Sequence, residues 1–229
     1  MGTDIHMVIQ CRPIGISSDD TNLKETTPFP WKDISEEECE ALYEGYDCRS
    51  YRRFAVLAGV RNGFGFAGSF NHKPIEPIAQ PRGFPEDFEV ADNDPSEHCG
   101  EWMGDHTYSW LNADEILEWY KTPHLTTAAG YVPAEFFKTW DGVTPPDCYV
   151  GGISGPNIVC VNWDGKTLPS KQIESNPGQS LVDPSAVPFT HIRIFWSEDM
   201  RDAFEDFIPM LIELKRRHGE IRLVFGFDS

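Results

Sequence analysis

The sequence predicts an α+β fold, and three observations carry that expectation. The segment "TDIHMVIQC" near the N-terminus is apolar and alternating, as a strand requires. Near the C-terminus, "THIRIFW", "SEDMRDAFEDFIPMLIELKRRHG" and "EIRLVFGF" follow one another as strand, amphipathic helix and strand. The chain of 229 residues is 40% hydrophobic and 13% aromatic with seven Trp, enough apolar mass for a real core. These features predict a single domain over residues 1–229. Its mixed sheet would include the N-terminal strand and a C-terminal β-α-β unit, with helices packed on it. A right-handed crossover would make the last two strands parallel.

The elements follow in chain order. After the first strand comes a polar, acidic stretch, in which "SEEECEALYEGY" suits a short helix capped by Ser35. "RSYRRFAVLAGVR" predicts a helix over 49–61, with Asn62-Gly63 as its C-cap pair. Its apolar stripe leaves Arg52 and Arg53 facing solvent. A long Gly/Pro-rich loop is expected over about 62–105. "HTYSW" is extended. "NADEILEWYK" is a helix with Asn112 as N-cap and Glu115 at the capping-box position, and "PAEFFKTW" suits a turn or two of helix. A second Gly/Pro-rich loop spans about 141–189, with "NIVCVNWDGKTL" as a hairpin inside it. The long C-terminal helix takes Ser197 as its cap and kinks at Pro209.

Charge restricts the function classes. There are 37 acidic and 19 basic residues, a formal net charge of -18, which repels phosphate backbones and speaks against bulk nucleic-acid binding. A local Arg cluster can still hold a small anion. No apolar run reaches the ~18 residues of a membrane span, so no membrane partner is expected. The six Cys form no C-x-x-C pair and no leader is read before them, which sets the expectation of reduced thiols in a cytoplasm.

Several residue groups suit chemistry. Asp4 and His6 share a strand face, where an imidazole near a carboxylate can serve acid–base work. If the last two strands flank residues 3–11, some of His191, Arg193, Arg222 and Asp228 would join them. Arg61 falls inside the apolar stripe of its helix, where a guanidinium needs an anionic or carbonyl partner; Asn62 follows it. Arg82 sits in the rigid turn "PRGFPED". His106, Tyr108 and Trp110 alternate and share a face if extended, a wall suited to a base, sugar or phosphate. His98, Cys99, Glu101, Asp105 and His106 include metal-ligating types, but their spacing fits no zinc signature, so no metal or other cofactor is assigned. "GFGFAG" matches a dinucleotide fingerprint in letters only, because a helix precedes it where a strand is required.

As a set, "TDIHMVIQ", "YRRFAVLAGVRNGF", "PRGFPED", "GDHTYSWL" and "RLVFGFD" resemble an uncharacterised bacteriophage and bacterial protein family, over most of the chain. The resemblance implies a phage-type protein in the cytoplasm of a bacterial host; it brings no established activity. The expected ligand is a small, phosphorylated, nucleotide-like anion, such as a host immune nucleotide signal. An enzyme would cleave it as a phosphodiesterase, with His6 and His106 as base and acid and Asp4 orienting one of them. Arg61, Asn62 and Arg82 would hold the phosphate while Tyr108 and Trp110 pack the base. A non-catalytic sponge would use the same groups without the acid–base pair. An acidic protein inhibiting a host factor is the third class, and the Phe-rich segments leave a homo-oligomer open.

Overall fold

The most apolar strand of the sequence takes the centre of a sheet. In the computed structural model, which describes residues 2–13, 29–65, 72–88, 103–153 and 191–228, β6 (Glu220–Phe227) is buried along nearly its whole length. Such a strand needs neighbours at both edges and cover on both faces. β1 (Ile5–Arg12) and β3 (His106–Asn112) flank it, and β2 (Lys32–Asp33) adds a short outer strand, giving the order β2-β1-β6-β3. Every pairing is antiparallel. Alternation fixes the register: Ile5, Met7 and Ile9 lie opposite Phe227, Phe225 and Leu223. Asp4 and Asp228 extend the ladder, with the Asp228 N–H donating to the Asp4 carbonyl at 3.2 Å.

The apolar face of this sheet carries helices. α2 (Tyr51–Ala58) is capped by the Ser50 hydroxyl, and its Phe54 ring meets Phe227 edge-on at 5.1 Å. α3 (Ala113–Tyr120) starts where β3 ends; the Glu115 carboxylate accepts from the Asn112 N–H at 2.9 Å, as the capping-box spacing predicted. α5 (Phe207–His218) contributes Phe207, Leu211 and Leu214 to the same core. Burying each large side chain contributes roughly 2 kcal/mol. α1 (Glu36–Leu42) is capped by Ser35, as expected.

The described residues fall into two compact units. The first comprises Met1–Val60, Glu76–Pro123 and Arg201–Ser229 and holds the sheet just described. The second comprises Arg61–Ile75 and His124–Met200. In it β4 (Leu125–Pro133) pairs antiparallel with β5 (His191–Asp199), and α4 (Ala134–Thr139) follows β4. Ala128, Val132, Phe137, Ile192, Ile194 and Trp196 form its core.

The α+β class and the place of the N-terminal strand in the sheet are as the sequence predicts. The parallel β-α-β unit is not: β5 and β6 lie in different sheets, and no described strand pair is parallel. Both edges of β6 are occupied by β1 and β3, while β5 pairs with β4, a strand the sequence reading did not assign. The long C-terminal helix also starts later. Ser197 lies inside β5, a 3₁₀ turn covers Met200–Phe204, and Pro209 occupies the first turn of α5. A proline there displaces no intrahelical hydrogen bond, so it needs no kink. α2 ends at Gly59, whose φ of 71° is left-handed, and not at Asn62-Gly63. The 157–168 hairpin and His98, Cys99 and Glu101 lie outside the described residues.

Candidate functional site

Cross-strand register decides which candidate side chains share a face. His6 lies opposite Gly226, so it points to the sheet face opposite α2. His106 lies opposite Phe227 and stacks on that ring at 6.2 Å, so it points to the helix-covered face. The cause is a bulge between His106 and Ser109, where Thr107 takes a positive φ of 54°. The bulge inserts one residue and turns Tyr108 and Trp110 away from His106. The alternating wall of His106, Tyr108 and Trp110 is therefore corrected to Tyr108 and Trp110 alone. His6 and His106 occupy opposite sheet faces with β6 between them, so they do not converge on one ligand atom.

Asp4 does not orient His6. Both its carboxylate oxygens accept from Arg49, at 2.6 Å each, and that guanidinium holds the Asp4 carboxyl below its usual range. Asp228 takes the orienting place: its Oδ2 lies 3.3 Å from His6 Nε2, and its Oδ1 accepts from the Asp4 N–H at 2.9 Å. Alternation placed Asp228 on one face of the last strand with Arg222; its position beside Asp4 and His6 comes from the pairing of β1 with β6. His6 also lines a cleft of about 370 Å³ beside β1, together with Asp33, Ile34, Glu36, Tyr46 and Asp47. Three carboxylates line that cleft, so it does not suit a phosphate.

Arg82 makes two bonds to Glu115, at 2.9 and 2.5 Å, and its guanidinium carbon lies 5.0 Å from the Trp110 ring centre. It keeps the Glu115 carboxyl below its ordinary pKa. Arg82 thus pins its turn to α3, and its charge is met within the protein. Tyr108 packs on Phe84 at 4.4 Å and donates its hydroxyl to the Gly104 carbonyl. Arg61 and Asn62 belong to the second unit. Arg61 stands outside any helix with φ 54°, because the helix has already ended at Gly59. Asn62 spends its amide on the chain, donating to the Ile75 carbonyl at 2.6 Å and accepting from the Ile75 N–H at 2.9 Å.

The sheet face that carries His6 and Trp110 also carries a group that sequence reasoning only touched. Arg222, 3% exposed, donates to Gln10 Oε1 and to Asp87 Oδ1, each at 2.7 Å. Its guanidinium carbon lies 4.4 Å from the Trp31 ring centre, and that of Arg12 lies 4.6 Å from the same ring. Gln10 in turn donates to Asp33 at 2.6 Å, and Arg12 pairs with Glu220. Arg222 Nη2 is buried and has no hydrogen-bond partner among the described residues. A buried donor without an acceptor is costly, by about 1–3 kcal/mol, and invites a ligand oxygen or water. The alternation that places Gln10 and Arg12 on one face was readable; the arrival of Trp31 over both guanidiniums was not, because it comes from β2's flank.

Among the described residues, no group of three or more His, Cys, Asp or Glu is arranged to hold a metal ion, and no helix is long and apolar enough to cross a membrane. No family model, curated protein or solved structure matches this chain.

Proposed function

We propose that this protein binds a small, flat, anionic ligand of nucleotide type and holds it without cleaving it. The observation that carries the reading is the Arg12–Trp31–Arg222 stack, with a buried guanidinium nitrogen that has no partner among the described residues. Guanidiniums recognise phosphate oxygens, and an indole offers a face to a base. Arg12 and Arg222 already pair with Glu220 and Asp87, so the donor left for a ligand oxygen is the remaining Arg222 nitrogen, beside two cations gathered at one indole in a chain of net charge -18. The separation of His6 and His106 removes the acid–base pair that a phosphodiesterase of the expected kind needs, which favours the sponge over the hydrolase. The resemblance to bacteriophage proteins supports a host nucleotide signal as the ligand and a bacterial cytoplasm as the setting.

Native mass spectrometry with cyclic mononucleotides, cyclic dinucleotides and nucleoside triphosphates tests this directly. One of them is expected to bind, and the ligand released on denaturation is expected to be intact. Arg222→Met and Trp31→Leu should each weaken binding at least tenfold, about 1.4 kcal/mol. His6→Ala and His106→Ala should leave it within twofold. Recovery of a cleaved nucleotide, with cleavage lost in His6→Ala, would restore the hydrolase. Absence of binding across the panel would remove the nucleotide reading.

A further inference from the structure

The two edges of the four-stranded sheet are treated differently. At β3 the outer edge is covered: the Gly83 N–H donates to the Tyr108 carbonyl at 3.0 Å, and the Arg82 N–H to the Ser109 hydroxyl at 3.2 Å. At β1 the cover is partial. β2 pairs only with Gln10 and Cys11, and the Ile34 N–H reaches the Ile9 carbonyl at 2.8 Å.

That last bond fixes the direction of the remaining groups. Backbone N–H and C=O of alternate strand residues point to the same side, so Ile5 and Met7 point outward with Ile9. His6 and Val8 point inward to β6. Among the described residues, no main-chain hydrogen bond reaches the outward groups of Ile5 and Met7. They open on the 370 Å³ cleft whose other walls carry Asp33, Glu36 and Asp47.

From this we infer that the β1 edge is a docking site for an extended basic peptide, which adds as a strand beside Ile5–Met7. An unpaired edge supplies main-chain bonds to any extended segment. The three carboxylates choose the charge: a partner segment with Lys or Arg at alternate positions places its cations against them. The cleft volume sits at the low end for ligand sites, about 300–1,000 Å³, which suits a short segment of two or three residues. Two outward residues offer four bonds, enough to fix such a segment in register. The cleft meets the Arg12–Trp31–Arg222 stack at Asp33, which accepts from Gln10, while Glu36 and Asp47 belong to the cleft alone.

Two capped pentapeptides, Lys-Val-Lys-Val-Lys and Glu-Val-Glu-Val-Glu, test the proposal by calorimetry on the full chain. The basic peptide is expected to bind and the acidic one not to. The triple variant Asp33→Asn, Glu36→Gln, Asp47→Asn should weaken binding at least tenfold. N-methylation of the basic peptide at one alternate set of amides should abolish binding, and at the other set should not, because only one set faces β1. Amide exchange read by NMR should slow at Ile5 and Met7 on binding and stay unchanged at Val8, which faces β6. Equal loss from both methylation patterns, or no protection at Ile5 and Met7, would show a purely ionic contact and overturn strand addition. Equal binding of both peptides, or of neither, would overturn the basic partner. Concentration-dependent self-association that protects Ile5 and Met7 without peptide would overturn it in favour of a second copy of the chain.

Discussion

Arg53 sits in the core of the first unit at 4% exposure, and its removal should be among the most damaging single changes. The guanidinium donates to the Tyr46 carbonyl at 2.6 Å, the Tyr43 hydroxyl at 3.1 Å and the Ala203 carbonyl at 3.4 Å. Its carbon lies 5.1 Å from the Phe207 ring centre. All three acceptors are neutral, so the guanidinium works as a five-donor hub that ties loop carbonyls together. In Arg53→Met the stem is kept and the donors are lost. The stranded carbonyls cost about 1–3 kcal/mol each, offset in part because no charge is desolvated any longer, for a net loss of about 2 kcal/mol. Arg53→Ala also removes two buried methylenes at ~0.8 kcal/mol each, bringing the loss to about 4 kcal/mol. With a urea slope of ~2 kcal/mol per molar, the midpoints followed by Trp fluorescence should fall by about 1 M and about 2 M. A midpoint for Arg53→Ala within about 0.3 M of the native chain would refute the idea that these bonds hold the loops.

Two further outcomes follow from the same geometry. Gly226→Ala places a Cβ 2.0 Å from the Met103 carbonyl oxygen and 2.7 Å from the Tyr108 ring, so backbone must move. The expected loss is about 3 kcal/mol or more, read as a fall in thermal midpoint, and a midpoint unchanged by the added methyl would contradict the close approach. Arg82 lowers the Glu115 carboxyl from its ordinary 4.5, so the ionised pair stabilises the fold above that pH and the contribution fades as pH falls through the lower folded value. The pair is partly solvated, so about 1 kcal/mol is expected. Stability measured from pH 6 to pH 2 should fall less steeply below about 4.5 in Arg82→Gln; an identical slope would mean the pair contributes nothing.

Much of the first unit was readable from residue order. The alternation of β1 and β6 fixed which side chains share a face, and Ser35 and the Asn112/Glu115 box marked two helix starts. The failures have local physical causes. Arg53 lies beside the apolar stripe of α2, and its burial depends on the Tyr46 and Ala203 carbonyls, which come from stretches the sequence reads as α-helix but which fold as a turn after α1 and a 3₁₀ turn before α5. Strict alternation assigned His106 to the Tyr108 face because a bulge leaves no signature in the letters "HTYS"; the left-handed Thr107 shows it only in the backbone. Gly59 outcompeted Asn62-Gly63 because it is the first glycine after the apolar stripe, and its N–H closes on the Ala55 carbonyl. That early stop moved Arg61 off the helix. Small residues hid β4: Ala128, Ala129 and Gly130 carry weak strand preference, and pairing with β5 decides their conformation.

The pairing of β1 with β6 also sets a timetable. Arg12 and Glu220 meet although they lie 208 positions apart in the chain. At synthesis rates of 5–20 residues per second, β1 waits roughly 10–40 s for the strand that buries it. During that interval Ile5, Met7 and Ile9 are an uncovered apolar strand, open to chaperones and to other nascent copies. The central strand closes a long loop in a single late step, so the first unit should gain its protected core in one slow event once β6 has been made, not by gradual accretion.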